Sequence, residues 1–163
     1  MLDYQSVSVI YGDNKPSLSD FTLRIQKGEI VALVGESGSG KTTAIRAAMG
    51  LLPSGGQIVK GDIRFDGQSL LYLTDNEWRA LRGGSMSMIF QDSGTMLNPI
   101  RTIGSQFIEY IRTHKQKTKK EAWEMGWMML ERMGLPHSKT EILPFPTFRW
   151  HAPTGGYCHG YGV

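Results

Sequence analysis

The stretch GESGSGKTT, Gly35 to Thr43, constrains this chain more than any other. It fits the pattern G-x-x-x-x-G-K-[ST], which cradles phosphate. Each residue type has a physical reason. Glycines let backbone N–H groups converge on phosphate oxygens without a Cβ in the way, and the helix N-terminus that follows adds partial positive charge. Lys41 is placed to reach the β- and γ-phosphates, and the Thr42 hydroxyl to bind Mg²⁺. The flanks agree with the motif. Ile30 to Val34 is a nearly continuous apolar run, as expected of a strand buried on both faces. A helix is predicted from Lys41 to about Leu52, ended by Pro53 and Gly55-Gly56.

The same reading extends along the chain. YQSVSVIYG alternates and is rich in Val and Ile, so it predicts a strand. In the next strand Phe21, Leu23 and Ile25 alternate with Thr22, Arg24 and Gln26, which predicts one buried and one wet face. GDIRFDGQSL predicts a strand with an Asp66-Gly67 turn, and SMSMIF a further strand. Thr74 and Glu77 have capping-box spacing, so a short helix is predicted to about Leu81. NPIRTIGSQFIEYIRTH is helical, with Ile103, Phe107 and Ile111 on one face. Thr118 and Glu121 repeat the capping box. They open a helix that presents Trp123, Trp127 and Leu130 on one face and ends at Gly134. At that spacing the tryptophans read as core, and the nine methionines as packing residues.

Composition excludes several classes. A net charge of +3 implies a solvated surface and does not indicate a nucleic-acid partner. With a single cysteine, Cys158, no intrachain disulfide forms, and a reducing compartment fits. No apolar run approaches the roughly 18–20 residues of a membrane span, and the N-terminal MLDYQSVSVIYGD has no signal-peptide pattern.

Two features narrow the nucleotide chemistry. At least two strands precede the loop, and the first ends in Tyr11. An aromatic there offers a π-face on which a base can stack. Gln91 directly follows the apolar run SMSMIF, where a neutral amide suits a Mg²⁺ ligand or a water-orienting group. Asp92 is the competing candidate, as a carboxylate at the strand end.

With these residues the chain resembles the ATP-binding subunit of an ABC transporter, and within that family the dipeptide, oligopeptide and nickel importers. The resemblance covers about residues 1–143. Tyr11 matches the family's adenine-stacking aromatic. Gly35, Ser37, Gly38, Ser39, Gly40, Lys41, Thr42 and Thr43 match its Walker A loop. Gln91 matches its Q-loop glutamine, and FQDSGTMLNPIRTIGSQ is close to the segment that follows it. The resemblance implies an α/β P-loop fold, an ABC-type nucleotide-binding domain that is incomplete: an N-terminal antiparallel sheet, the Walker A core and part of the helical subdomain. It implies ATP and Mg²⁺ as cofactors, with Thr42 and Gln91 toward the metal and Lys41 and Gln91 positioning the reacting groups. It implies integral membrane permease subunits and a second ATP-binding subunit as partners, at the cytoplasmic face of the membrane.

The family pattern then stops. No LSGGQ-type signature, no Walker B strand ending in Asp-Glu and no switch histidine follows within the 163 residues. Hydrolysis draws on those groups, so ATPase turnover by these residues alone is expected to sit near background. The segment PFPTFRWHAPTGGYCHGYGV, residues 144–163, has no helical or strand period. Its codons, read one nucleotide late, permit PFQLSGGMLQRVVIAMAMA, which resembles the signature and its helix in the peptide and nickel importers. Residues 144–163 are therefore expected to be out-of-frame translation after a frameshift near Leu143–Pro144, with a divergent encoded segment as the alternative. His151, Cys158 and His159 lack the fourth ligand and the spacing of a metal site. The competing functions are a stand-alone nucleotide-binding module and another P-loop enzyme, such as a kinase using Asp92. The core sheet is expected to lack its later strands, which leaves an unpaired edge and an uncovered apolar face.

Overall fold

The computed structural model describes residues 1–12, 15–90 and 96–134. Gln91, Asp92 and the whole of residues 144–163 lie outside them. The chain divides into two compact units, Met1–Arg82 and Gly83–Val163.

The first unit is built on an antiparallel sheet. Its strands are β1 (Leu2–Tyr11), β2 (Lys15–Ile25), β3 (Gln57–Phe65) and β4 (Gln68–Ser69), in the order β2-β1-β3-β4. The Asp66-Gly67 turn joins β3 to β4 as the sequence predicts, and Asp66 also pairs with the N-terminal ammonium at 2.5 Å. On β2 the alternation holds: Phe21, Leu23 and Ile25 are half-buried, and Thr22, Arg24 and Gln26 exposed.

On β1 simple alternation fails, and the failure is instructive. Tyr4, Val7 and Val9 are all buried although Tyr4 and Val7 differ in parity. The register with both neighbours slips between Tyr4 and Val9, and Ser6 takes a left-handed φ of 49°. One extra residue in the strand resets which face points inward, so all three side chains join one core.

Onto that core packs α1 (Lys41–Ala48), which buries Ala44, Ala47 and Ala48. Small side chains bring the helix backbone close to the sheet. The Tyr4 hydroxyl donates to the Ala44 carbonyl at 3.1 Å, and burial pushes its pKa up to about 12. Phe21 meets the Tyr4 ring edge-on at 5.2 Å. The C-terminus of α1 is closed by Arg82, just past α2 (Asp75–Leu81). Its Nε and Nη2 donate to the carbonyls of Met49 and Gly50 at 2.9 and 2.8 Å, and its guanidinium lies over the Trp78 ring. This satisfies carbonyls that a helix end leaves open. The helix stops four residues earlier than the predicted Leu52 because Gly50, at φ 60°, and Arg82 terminate it first.

Two predicted strands are corrected. Ile30 to Val34 and the SMSMIF run, of which residues 85–90 are described, carry no strand assignment beyond a single bridge at Met86. In the first unit Ile30 is 98% and Val34 93% exposed, and in the second Ile89 is 67% exposed. A two-face-buried strand exists only where ladders flank it, and among the described residues none pairs with either run. These exposed apolar residues belong to no sheet, so the core sheet whose uncovered face the sequence predicts is not formed among the described residues.

The second unit is a helical pair, α3 (Ile103–His114) and α4 (Lys119–Arg132). Among its described residues Ile103, Ile111, Ala122 and Leu130 are buried, with Phe107, Trp123 and Trp127 half-buried. Gly126 is buried against α3, where a Cβ would make ordinary contact with Ile111 Cδ1 at 3.4 Å. The loop before α3 is tied down by Gln106, whose Oε1 accepts from the Asn98 amide at 2.8 Å and whose Nε2 donates to the carbonyls of Asn98 and Arg101.

Both predicted capping boxes form. In the second, the Glu121 carboxylate accepts from the Thr118 amide and hydroxyl and from Lys117, which pushes its pKa down to about 2. A depressed folded-state pKa means stabilisation present above the unfolded value, near 4.5, and lost as pH falls toward 2. Glu121→Gln keeps the acceptor and removes the titration. Its thermal midpoint is expected to fall less between pH 5 and pH 2 than the parent's, as followed by circular dichroism. Parallel acid limbs would show that this cap contributes nothing to acid sensitivity.

Candidate functional site

The phosphate-loop residues gather where α1 begins. Gly35 to Ser39 are exposed, Gly40 is buried, and Gly40 is the N-cap of α1 with φ 88°. The first helical hydrogen bond runs from the Ala44 amide to the Gly40 carbonyl at 2.8 Å. The amides of Lys41, Thr42 and Thr43 therefore have no acceptor within the helix, which is the arrangement that receives an anion. A Cβ added at Gly38, φ 82°, would meet nothing within 4 Å, so the loop is open on that side.

Lys41 bends back over the loop. Its ammonium donates to the carbonyls of Gly35 and Glu36 at 2.7 and 2.5 Å and to Ser39 Oγ at 3.2 Å. One cation thus stands where three loop acceptors converge. A phosphate oxygen offers the same ammonium a fully charged acceptor, which makes the stronger hydrogen bond. Thr42 is exposed on the first turn, with its hydroxyl available to a hard cation. Among the described residues no cluster of three or more His, Cys, Asp or Glu is placed to hold a metal. A magnesium ion would take Thr42 and phosphate oxygens. The residues thus fit a Mg²⁺-nucleotide: open loop, converging amides, a cation and an exposed hydroxyl.

The Thr43 side chain, unlike its amide, is not part of the open face. It is buried, and its Oγ1 shares a 2.9 Å hydrogen bond with Ser17 Oγ of β2. Sequence reasoning grouped Thr43 with the phosphate contacts; the structure turns its side chain to the sheet. Ser17 was missed altogether, since a lone serine in a strand carries no pattern.

Tyr11 ends β1 and is half-buried. Its ring lies against Gly56, where a Cβ would stand 2.6 Å from Cε1. Gly56 is thus the residue that lets the ring settle at the sheet end. The structure brings Gly35, Ser37, Gly38, Ser39 and Gly40 together in one loop with Lys41 and Thr42 at the start of α1; Gln91 and Asp92 fall outside the described residues. No described helix is long and apolar enough to cross a membrane.

Known proteins share this architecture. The family described as ABC transporter matches residues 18–147. The chain is 40% identical over 126 residues to the oligopeptide transport ATP-binding protein AmiE of Streptococcus pneumoniae serotype 4, covering 77% of this chain and 36% of that one. It is 39% identical over 142 residues to AppD of Bacillus subtilis, also named an oligopeptide transport ATP-binding protein, covering 86% and 42%. Against the dipeptide transport ATP-binding protein DppD of Haemophilus influenzae it is 35% identical over 159 residues, covering 96% and 47%. The chain therefore spans less than half the length of these relatives. Among solved structures, the dimeric bacterial ABC transporter cassette MJ0796 superposes with a TM-score of 0.73 at 21% identity, over 88% of this chain and 62% of that one. That likeness establishes the fold as the α/β ABC nucleotide-binding type, of which this chain carries a part. By the match across residues 18–147, the chain belongs to the ABC transporter family.

Proposed function

We propose that this chain is the nucleotide-gripping part of an ATP-binding subunit that drives import of short peptides. The observation that carries the reading is the Lys41 ammonium, held over an open loop beside the N-terminal amides of α1. Oligopeptide and dipeptide names among the relatives favour peptide cargo over nickel. Bound Mg·ATP supplies the phosphoryl-transfer chemistry. The chain's own residues do the holding: the amides at the start of α1 receive phosphate oxygens, Lys41 neutralises their charge, the Thr42 hydroxyl ligates the metal, and Tyr11 stacks on the base. Such catalysis works through positioning and charge stabilisation. Gln91 is assigned to the metal and the attacking water. Membrane permease subunits and a second ATP-binding subunit are the proposed partners, at the cytoplasmic face of the membrane.

Titration of the full chain with Mg·ATP and Mg·GTP tests the reading. Stacking tolerates any base and is worth roughly 1–3 kcal/mol. Both nucleotides are expected to bind within a few-fold of each other. Tyr11→Ala is expected to weaken both by at least about five-fold, while Tyr11→Trp retains affinity. An unchanged Tyr11→Ala chain would leave Tyr11 with only its packing on Gly56.

A further inference from the structure

We propose that Ser17 of β2 is a positioning residue for the phosphate loop, acting through Thr43. The inference rests on the nucleotide-binding reading above and adds a residue to it. β2 touches the loop-to-helix junction at two adjacent points. Ser17 Oγ and Thr43 Oγ1 share a hydrogen bond at 2.9 Å. The Ser17 carbonyl also faces Gly40 so closely that a Cβ there would come within 2.5 Å. Gly40 and Thr43 are the N-cap and the third residue of α1. They bracket Lys41 and Thr42, the two side chains assigned to phosphate and metal.

Thr43 is only 9% exposed, so its hydroxyl has few alternatives to Ser17. A buried hydroxyl without a partner is costly, and the first turn would have to rotate to reach water. Rotation of that turn moves the amides and the Lys41 stem together. Charged hydrogen bonds are sensitive to such displacement, and small misplacements at a binding centre carry large effects. The sheet thereby sets the aim of the loop. Tyr4, which donates to the Ala44 carbonyl, holds the next residue of the same turn from β1.

The test is the affinity of the full chain for Mg·ATP, measured well below its melting midpoint, for the parent, Ser17→Ala, Ser17→Thr, Thr43→Val and the Ser17→Ala/Thr43→Val double variant. Ser17→Ala and Thr43→Val are each expected to weaken Mg·ATP by about five- to ten-fold. Ser17→Thr keeps the hydroxyl and is expected to bind as the parent does. The double variant is expected to bind no more weakly than the poorer single one, because both remove one contact. A purely structural role would lower the melting midpoint and leave the affinity of the folded chain alone. Lys41→Ala distinguishes the two levels of the argument. Loss of binding in Lys41→Ala with parental affinity in Ser17→Ala overturns the positioning role alone. A parent chain that binds no Mg·ATP overturns the nucleotide-binding reading and the positioning role together.

Discussion

Lys41→Ala is expected to reduce Mg·ATP affinity by roughly 10- to 150-fold, the equivalent of about 1.5–3 kcal/mol for hydrogen bonds to a charged group. The ammonium has three donors, and its three neighbours are the carbonyls of Gly35 and Glu36 and the hydroxyl of Ser39. Binding phosphate is therefore an exchange: a neutral acceptor gives way to a charged one. The net gain is the difference between the two, which is why the expected loss is a few kcal/mol and not the full strength of an ion pair. All three contacts are exposed, so the variant is expected to fold and melt much as the parent does. Lys41→Arg should not restore binding. A planar guanidinium does not reproduce three donors on one rotating nitrogen. Isothermal titration of parent and variants checks this. A Lys41→Ala chain that binds Mg·ATP with parental affinity would remove the phosphate-loop assignment.

The local signals are legible in the sequence, whereas the long-range contacts that position the loop are not. Both capping boxes, at Thr74/Glu77 and Thr118/Glu121, depend on three-residue spacing alone, and both form as read. The glycine pattern of the loop, the Asp66-Gly67 turn and the half-buried alternation of β2 are equally local signals. Three kinds of feature were not legible. The bulge that places Tyr4, Val7 and Val9 on one face depends on Ser6 adopting a left-handed backbone, which a serine does not advertise. The Arg82 cap on Met49 and Gly50 joins residues more than thirty positions apart, as does the contact of Tyr4 with Ala44. Finally, the apolar runs at Ile30–Val34 and Met86–Phe90 were read as strands because composition records burial on both faces but not the partners that supply it. Pairing is a property of the neighbours, and neither run is a strand of the described sheet.

Gly40→Ala is expected to damage the chain more than any other single methyl group added to the loop. Two costs coincide at this residue. Its φ of 88° lies in the left-handed region, where an L side chain costs roughly 1–2 kcal/mol. Its Cβ would then sit 2.5 Å from the Ser17 carbonyl and 3.2 Å from Leu18 Cδ1. Leu18 Cδ1 can rotate away, but the Ser17 carbonyl belongs to β2, whose ladder to β1 pairs Leu18 with Val9 next to it. Relief requires the strand or the helix to shift, an overpacking cost of about 1–3 kcal/mol. The sum, about 2–5 kcal/mol, is a large share of the roughly 5–15 kcal/mol that holds a domain together. Gly38→Ala supplies the control. Its φ is 82°, nearly the same, yet a Cβ there meets nothing within 4 Å. It pays the backbone cost alone, so urea unfolding should separate the two variants by about 1–3 kcal/mol. Equal destabilisation would show that β2 yields freely at Ser17, in which case the sheet does not fix the start of α1 and the phosphate loop takes its geometry from its own backbone.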